Sequence, residues 1–213
     1  TGQRHIREAA MANLRLQDSL KEAQLNSLSG QLNPHFLFNS LNNLRFMIHE
    51  DAQRADAMVL ALSDILRYSL ESGRQAKVQL AREMEIIHRY IDVVRAQLED
   101  RLRFTFHVPN ELQACMVPPM LLQLLVENAI KHGIGNLRGG GSLQLQVGHQ
   151  ERQLVLQVRN DMPPAHLSAN AGTGLGLANI ERRLQLLYGG RATMQAGPAG
   201  GQFEVQVRLP KEY

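Results

Sequence analysis

Three short segments carry side chains able to do chemistry, and the first contains a histidine. Residues 33–39 read Asn-Pro-His-Phe-Leu-Phe-Asn. Pro34 loosens the helix directly before His35, while Asn39 lies one turn later on the same face and can hydrogen-bond the imidazole. An imidazole held through one nitrogen is a competent nucleophile through the other near neutral pH. A lone helical histidine is usually structural, but this setting favours a nucleophile.

The second segment, residues 126–133, reads Val-Glu-Asn-Ala-Ile-Lys-His-Gly. On a helix, Asn128, Lys131 and His132 are spaced i, i+3 and i+4 and therefore project from one side. An amide oxygen can complete a Mg²⁺ shell, and an ammonium and an imidazole can meet phosphate oxygens. The alternative is a polar helix end with Gly133 as its cap. The segment by itself does not decide between the two interpretations.

The third segment places Gly172, Gly174 and Gly176 at alternate positions where a helix is predicted to begin. Such glycines let backbone N–H groups approach a phosphate at the positive end of the helix dipole. The alternative is a hinge or a tight turn. The segment does not follow a strand directly, so a Rossmann interpretation fails, and the P-loop pattern is absent from the sequence.

Apolar spacing predicts the elements that position these segments, beginning with helices in the first half. Helical pattern runs over about 3–48, with a bend expected between Gly30 and Pro34. A second helix is predicted to end near residues 72–73, and an amphipathic helix follows over about 80–98. The first segment therefore belongs to a helical region.

The second half alternates between strand and helix patterns. The predicted elements are a strand over 102–108, a helix over 118–132, a hairpin of strands over 143–147 and 154–158 with a turn at 150–152, a loop over 160–173, a helix over 174–188 and two final strands. Hairpins with one apolar face predict a mixed sheet with helices packed on one side. The expected fold class is α+β, a helical domain followed by an α/β sandwich.

Composition narrows the classes of function. The chain has 213 residues and a net charge of +3, and no block of Lys or Arg exceeds two residues, which disfavours binding to nucleic acid. The single Cys115 excludes a disulfide scaffold and a Cys-rich metal site and fits a reducing cytosol. No run approaches the roughly 18 apolar residues of a membrane span. Because helical pattern is already present at Thr1, we expect a further part upstream.

Together the three segments resemble, in order and spacing, the LytS/YehU-type family of sensor histidine kinases from about Glu22 onward. Residues 31–42 resemble its phosphoacceptor box, QxNPHFLFNSLN. Residues 125–133 resemble its N box, LVENAIKHG, and residues 172–184 its G box, GxGLGLxNxxxRL. The stretch LSDxLRYSL at 62–70 agrees with the same family.

The resemblance implies that His35 accepts the γ-phosphoryl group of ATP and that Asn128 binds Mg²⁺. It further implies that Lys131 and His132 contact phosphates, and that the loop from Gly172 to Gly176 closes over them. Phosphoryl transfer agrees with this arrangement, since it needs a positioned nucleophile and charge neutralisation more than covalent chemistry.

The resemblance also implies an architecture and partners. We expect a dimerisation and phosphoacceptor domain over 1–73, which pairs with a second copy in a four-helix bundle, and a Bergerat-fold ATP-binding domain over 74–213. The family implies an upstream bacterial plasma-membrane sensor, which would place these residues in the cytoplasm. It also implies a response regulator whose receiver aspartate takes the phosphoryl group, often one with a LytTR domain.

The sequence departs from Bergerat-fold kinases at the box DxG, whose aspartate accepts a hydrogen bond from the adenine amino group. Asn160 stands at that position, followed by Asp161 and Met162. The amide oxygen of Asn160 can still accept the bond, and Asp161 can do so after a slip of one residue. The missing glycine predicts weak nucleotide affinity.

Two further departures bear on the rival functions. Phe36 follows the histidine where many kinases have an acid, so no local general base is evident. Leu124 stands where ATPase relatives carry the glutamate that activates water, which favours transfer to histidine over hydrolysis by a gyrase- or chaperone-like machine. The altered adenine box leaves open an inactive pseudokinase that acts as a dimeric scaffold or phosphatase for its regulator.

Overall fold

The structure, a computed structural model, describes residues 34–72, 75–98, 101–163 and 175–213. No helix within these ranges is long and apolar enough to cross a membrane. The predicted helix before residue 34, its bend at Gly30, and Gly172 and Gly174 of the glycine segment lie outside the described residues.

Two helices form the first described part. Helix α1 spans Pro34–Glu50 and helix α2 spans Ala52–Ser72, so only Asp51 separates them. The Asp51 carboxylate accepts the N–H of Arg54 at 3.0 Å and thereby caps the first turn of α2. The predicted end of this helix at residues 72–73 is confirmed.

Helix α3 (Leu80–Leu98) has the bounds that its apolar spacing predicts and packs against both α1 and α2. The ring of Phe36 on α1 lies 4.8 Å, centroid to centroid, from that of Tyr90 on α3. Asn43 donates a hydrogen bond from Nδ2 to the carbonyl of Ala96 at 2.8 Å. These contacts hold α1 against α3 along most of its length.

A mixed five-stranded sheet forms the second part. Its strands are β2 (Leu102–His107), β4 (Gly141–Gln150), β5 (Gln153–Asp161), β6 (Thr193–Ala199) and β7 (Gln202–Pro210). Their order across the sheet is β2-β4-β5-β7-β6. Strands β2 and β4 are parallel, and every other neighbouring pair in this sheet is antiparallel. A second, smaller sheet pairs β1 (Val78–Gln79) with β3 (Met116–Val117). Neither of these two strands was predicted from the sequence.

The inner face of the large sheet carries the apolar positions of the alternating strands and contacts helices α4 (Leu121–His132) and α5 (Leu175–Tyr188). The central residues Leu145, Leu156 and Val207 are all fully buried there. The α+β fold class and the mixed sheet are therefore confirmed.

One strand is buried unevenly, and one predicted helix start differs from the structure. Strand β2 lies at the edge of the sheet, and burial fades along it until Phe106 is 47% exposed, with its ring edge-on to His88. Helix α4 begins at Leu121 rather than near residue 118, because Met120 adopts a left-handed backbone with φ 64° and ψ 8°.

Candidate active site

His35 is exposed on the first turn of α1, and Asn39 is its neighbour one turn later. The Asn39 amide nitrogen lies 3.3 Å from Nδ1 and 3.4 Å from Nε2 of the imidazole. The i, i+4 spacing that predicted this contact therefore places the amide against the ring.

Phe36 explains how the helix presents His35 to solvent. Its side chain is 8% exposed and belongs to the core, where it packs on Tyr90 of α3. Ser40 donates a hydrogen bond to the Phe36 carbonyl at 2.7 Å and accepts one from Gln97 at 2.8 Å. The residue that replaces an acid next to the histidine is thus an apolar contact that holds this turn on α3.

Asn128 lies in the second half of α4 and faces the start of α5. A Cβ placed on Gly176 would stand 3.4 Å from Asn128 Oδ1, so the glycine backbone passes close to the amide oxygen. The structure therefore brings together the amide of the second predicted segment and one glycine of the third.

The two cationic candidates follow Asn128 on α4. Lys131 is exposed, and His132 is partly buried. Burial and the neighbouring charge of Lys131 both lower the pKa of His132 below its usual value. His132 is consequently neutral at pH 7, and it can donate or accept a hydrogen bond without carrying charge.

Gly133 is the C-cap residue of α4, as the alternative interpretation predicted, and its N–H donates to the carbonyl of Ala129 at 3.0 Å. Its φ is −103°, outside the left-handed region, and a Cβ there would collide with Nδ2 of Asn160. Glycine is needed because α4 ends against β5. The last carbonyls of the helix are met by Asn136, whose Nδ2 donates to Lys131 O and His132 O at 3.3 Å each.

Asn160 and Asp161 end β5 and face opposite sides of the sheet. Asn160 is 3% exposed on the helix side, and its Nδ2 donates to the carbonyl of Asp161 at 2.9 Å. Asp161 accepts from the N–H and hydroxyl of Ser142 at 2.7 and 2.8 Å and from Gln202 Nε2 at 2.7 Å. Of these two side chains, only that of Asn160 therefore lies beside the end of α4.

The pKa of Asp161 is lowered in the folded chain. Burial by itself would raise the pKa, but hydrogen bonds from Gln202 and Ser142 and the charge of Arg103 outweigh it. The carboxylate is consequently ionised at neutral pH and joins β5 to β4 and β7.

The residues around Asn128 fit a magnesium ion that is shared with phosphates. Within the described ranges, no group of three or more His, Cys, Asp or Glu side chains could hold a metal ion. Mg²⁺ in ATP sites takes one or two protein ligands and completes its shell with phosphate oxygens and water. An amide oxygen beside a glycine backbone suits that role.

Sequence reasoning missed Glu83, a carboxylate in the core. It is 1% exposed and accepts the backbone N–H of Met120 at 2.6 Å and of Leu122 at 2.8 Å. The hydroxyl of Tyr68 on α2 donates to the same carboxylate. The available signal was an acid three residues after buried Leu80, on the apolar stripe of α3.

Comparison with known families assigns a class to each part of the chain. Residues 23–102 match the histidine kinase family. Residues 119–213 match the family of histidine kinase-, DNA gyrase B-, and HSP90-like ATPases. The three sequence segments fall within these two matches, and the second match makes this part an ATP-binding domain.

Several curated proteins are similar over most of the chain. Sensor protein LytS of Staphylococcus haemolyticus (strain JCSC1435) is 31% identical over 186 residues, which cover 82% of this chain and 32% of that protein. LytS of Oceanobacillus iheyensis is 31% identical and covers 90% of this chain and 35% of its own length. The sensor histidine kinase/phosphatase LytS of Staphylococcus aureus (strain N315) is 29% identical, and the alignment covers 83% of this chain and 32% of that protein.

Solved structures with similarity to this chain include the catalytic domain of the histidine kinase ThkA. It has 17% identity and a TM-score of 0.49, and the alignment covers 64% of this chain and 95% of that one. The histidine kinase domain of Erythrobacter litoralis EL346 has 17% identity and a TM-score of 0.46, and the alignment covers 91% of this chain and 94% of that one.

The chain spans about a third of the length of the LytS proteins that it matches. The chain carries the histidine kinase match first and the ATPase match second. The chain belongs to the LytS-type sensor histidine kinase family.

Proposed function

We propose that this chain is the kinase region of a two-component sensor protein. It binds Mg·ATP, transfers the γ-phosphoryl group to His35, and passes that group to an aspartate of a response regulator. The observation that carries the proposal is the exposed His35 with Asn39 against its ring, in a chain that also places Asn128 beside Gly176.

The nucleotide phosphates are held by residues of α4 and by the glycine segment. Asn128 supplies an oxygen to Mg²⁺, which when bound neutralises charge on the phosphates. Lys131 supplies a positive charge, and the neutral His132 supplies a hydrogen bond. Backbone N–H groups from Gly172 to Gly176 approach the phosphates at the start of α5. Positioning and charge neutralisation account for most of the catalysis in phosphoryl transfer.

Adenine is recognised by Asn160 rather than by Asp161. Because Nδ2 of Asn160 is committed to the Asp161 carbonyl, Oδ1 is the atom that accepts the adenine amino group. The three hydrogen bonds to the Asp161 carboxylate keep it in the sheet. Guanine presents a carbonyl where adenine presents its amino group, so this contact favours ATP over GTP.

His35 attacks the γ-phosphorus through an imidazole nitrogen, and ADP leaves with the electrons of the broken P–O bond. Asn39 orients the ring through the contact at 3.3 Å. Leu124 occupies the position of the water-activating glutamate in ATPase relatives, which favours the imidazole over water as nucleophile.

The helical part forms a homodimer through apolar residues that α1 and α2 leave exposed. Phe38 is 68% exposed, Leu41 is 55% exposed and Leu60 is 59% exposed. Pairing with a second copy in a four-helix bundle would bury them. We further propose an upstream membrane sensor, a location of these residues in the cytoplasm, and a response regulator of the LytTR type as partner. The similarity to proteins named as sensors and sensor histidine kinases supports a sensor and a response regulator.

Incubation of the chain with ATP radiolabelled at the γ-phosphate tests this function. We expect label on the protein that is labile to acid and stable to base, as an N-linked phosphoryl group is, and no label from ATP marked at the α-phosphate. Absence of label from γ-marked ATP would overturn the proposal. Rapid ATP hydrolysis without phosphoprotein would instead indicate an ATP-driven machine.

A further inference from the structure

One buried carboxylate receives hydrogen bonds from both halves of the molecule. Glu83 on α3 is hydrogen-bonded by Tyr68 of α2 and by the backbone N–H groups of Met120 and Leu122, at the start of α4. Together with Arg183 of α5, these residues form what we call the Glu83 cluster. Neither the transfer reaction nor the nucleotide contacts described above use this cluster directly.

Within the cluster, Glu83 caps a helix to which it does not belong. The first N–H groups of an α-helix have no partner inside the helix, and Met120 at the cap position of α4 makes no side-chain capping bond. The two oxygens of Glu83 accept from Met120 at 2.6 Å and from Leu122 at 2.8 Å. Burial raises the pKa of Glu83, whereas the hydrogen bonds from Tyr68, Met120 and Leu122 act in the opposite direction and favour the carboxylate form. A carboxylate charge is also favourable at the positive end of the helix dipole.

This cap determines where Asn128 lies, because the two are on one rigid helix. Asn128 is six residues after Leu122, or about 9 Å along the axis at the usual helical rise. A shift of the first turn of α4 relative to α3 therefore moves Asn128, Lys131 and His132 by a similar distance.

Tyr68 brings the helical part into the same cluster. It is 3% exposed, lies one turn before the end of α2, and donates its hydroxyl hydrogen to Glu83 Oε1. Burial, and then the charge of Glu83, raise the pKa of Tyr68, so the hydroxyl stays protonated and remains a donor. Helix α2 is thereby bonded to the group that caps α4.

Arg183 attaches α5 to the same turn. Its Nη1 donates to the carbonyl of Pro119 at 2.7 Å, directly before Met120. Burial lowers the pKa of Arg183, and the negative charge of Glu83 acts in the opposite direction. Helix α4 carries one proposed nucleotide-binding segment, and helix α5 follows the other, the glycine segment. Both helices therefore belong to the cluster around the Glu83 carboxylate.

A buried carboxylate costs desolvation energy that an apolar residue of similar size would avoid, so packing does not explain Glu83. We infer that Glu83 and Tyr68 are positioning residues for phosphoryl transfer: they hold the helix that carries Asn128 in a fixed place relative to the helices that carry His35. This inference rests on the proposed kinase function. The Tyr68 bond links the two halves, and the Glu83 bonds to backbone hold α4.

Tyr68→Phe tests the link between the halves, because it removes one oxygen and leaves both backbone bonds to Glu83 in place. We expect the single-turnover rate of autophosphorylation at saturating Mg·ATP to fall about tenfold. The dissociation constant for a non-hydrolysable ATP analogue, measured by calorimetry, should stay within about twofold, since α4 keeps its cap. A residue with only a structural role would not separate rate from affinity in this way.

Glu83→Gln tests the cap, because the glutamine amide places a donor against a backbone N–H. Rate and nucleotide affinity should both fall, each about tenfold. The Tyr68 hydroxyl also accepts the N–H of Met120 directly, at 3.4 Å. In the Tyr68→Phe/Glu83→Gln double variant the loss of rate should therefore be smaller than the product of the two single losses, because the two residues share one network.

Matched controls are available for both substitutions. Tyr188→Phe alters another buried tyrosine, whose hydroxyl has no hydrogen-bond partner among the described residues. Glu85→Gln alters an exposed carboxylate on α3 that pairs with Arg82 at 2.6 Å. Both controls should label at the wild-type rate.

The outcomes separate this inference from the proposed function. If the wild-type chain takes no label, the proposed function fails and the inference falls with it. If the wild type labels and Tyr68→Phe labels at the same rate, the inference alone is overturned. It is also overturned if Tyr68→Phe loses rate and affinity in equal proportion together with a lower Tm. If Glu83→Gln does not fold, Tyr68→Phe and its tyrosine control decide the matter.

Discussion

The two parts of the molecule differ in how they cover their apolar residues. In the sheet part, inner-face residues such as Leu143 and Leu209 are fully buried by α4, α5 and neighbouring strands. In the helical part, Phe38 is 68% exposed, Phe46 is 61% exposed and Leu60 is 59% exposed. The sheet part closes its own core, whereas α1 and α2 present apolar surface that a partner would cover.

This difference suggests that nucleotide binding needs the sheet part alone, whereas phosphoryl transfer needs both parts. The proposed nucleotide contacts lie on α4, β5 and α5, which pack into one core, so nucleotide binding should survive changes on α1. The proposed phosphoryl transfer also needs His35 on α1, and it should therefore depend on both parts. The predictions below test that separation.

His35→Gln has the largest expected effect. It should abolish phosphoprotein formation, because the proposed phosphoacceptor imidazole is lost, while the dissociation constant for Mg·ATP stays within about twofold. Radiolabel transfer and calorimetry on the same preparation measure the two quantities. His49→Gln, an exposed histidine near the end of the same helix, is the control and should label normally. Label on the His35 variant would show that another residue accepts the phosphoryl group.

Asn128→Ala should remove the Mg²⁺ dependence of nucleotide binding and with it autophosphorylation, because the variant lacks the amide oxygen. Titration of ATP with and without Mg²⁺ measures the change. Asn136→Ala removes the hydrogen bonds to the end of the same helix at 3.3 Å and serves as the control. It should lower stability and keep the Mg²⁺ dependence. An Asn128 variant with unchanged Mg²⁺ dependence would exclude this residue as a metal ligand.

Asn160→Ala should weaken ATP binding roughly tenfold and narrow the preference for ATP over GTP, because one buried adenine contact is lost. Asn160→Asp, which restores the acid usual at this position, should keep or improve the affinity. Competition binding with both nucleotides measures these effects.

Asp161→Ala is the comparison for Asn160, since it faces the other side of β5. It should lower Tm at pH 7 and leave nucleotide preference unchanged. The folded pKa of Asp161 lies below its usual value of about 3.9, so its stabilisation is complete above that pH and is lost as pH falls through the folded pKa. The Tm difference from wild type should therefore shrink in acid. A loss of ATP preference in this variant, with none in Asn160→Ala, would move the adenine contact by one residue.

The smallest expected effect concerns the homodimer. It is tested by making the same leucine-to-glutamine substitution once in the helical part and once in the sheet part. Leu60→Gln should raise the dissociation constant of the homodimer roughly fivefold, from about 1 kcal/mol of lost apolar burial. Leu186→Gln, on α5 and 80% exposed, should leave the constant unchanged. Sedimentation analysis over a range of concentrations measures both constants. Equal effects of the two variants would contradict a dimer formed by the helical part.

Local pattern predicted most of the elements and the contacts within them. The bounds of α3 follow from apolar spacing alone, and the contact of Asn39 with His35 follows from one helical turn. The hairpin turn predicted at residues 150–152 is present, with Glu151 in the left-handed region at φ 52°. These features depend on residues close in sequence, so sequence carries the information directly. The domain boundary near residue 73 stays a prediction.

Features that depend on distant partners were decided by the tertiary structure. The start of α4 was placed about three residues too early, because the left-handed Met120 is held by Glu83, 37 residues away. Gly133 caps α4, as the sequence allowed, but the approach of Asn160 is what requires a glycine there. The order of residues left both Asn160 and Asp161 as candidate adenine contacts. They face opposite sides of the sheet, and we therefore propose Asn160, which lies on the helix side. Sequence by itself determined the long helices, the strands of the large sheet and most of the chemical groups, because these depend on local pattern. Packing between remote segments decided the small β1–β3 sheet, the role of Glu83 and which groups meet.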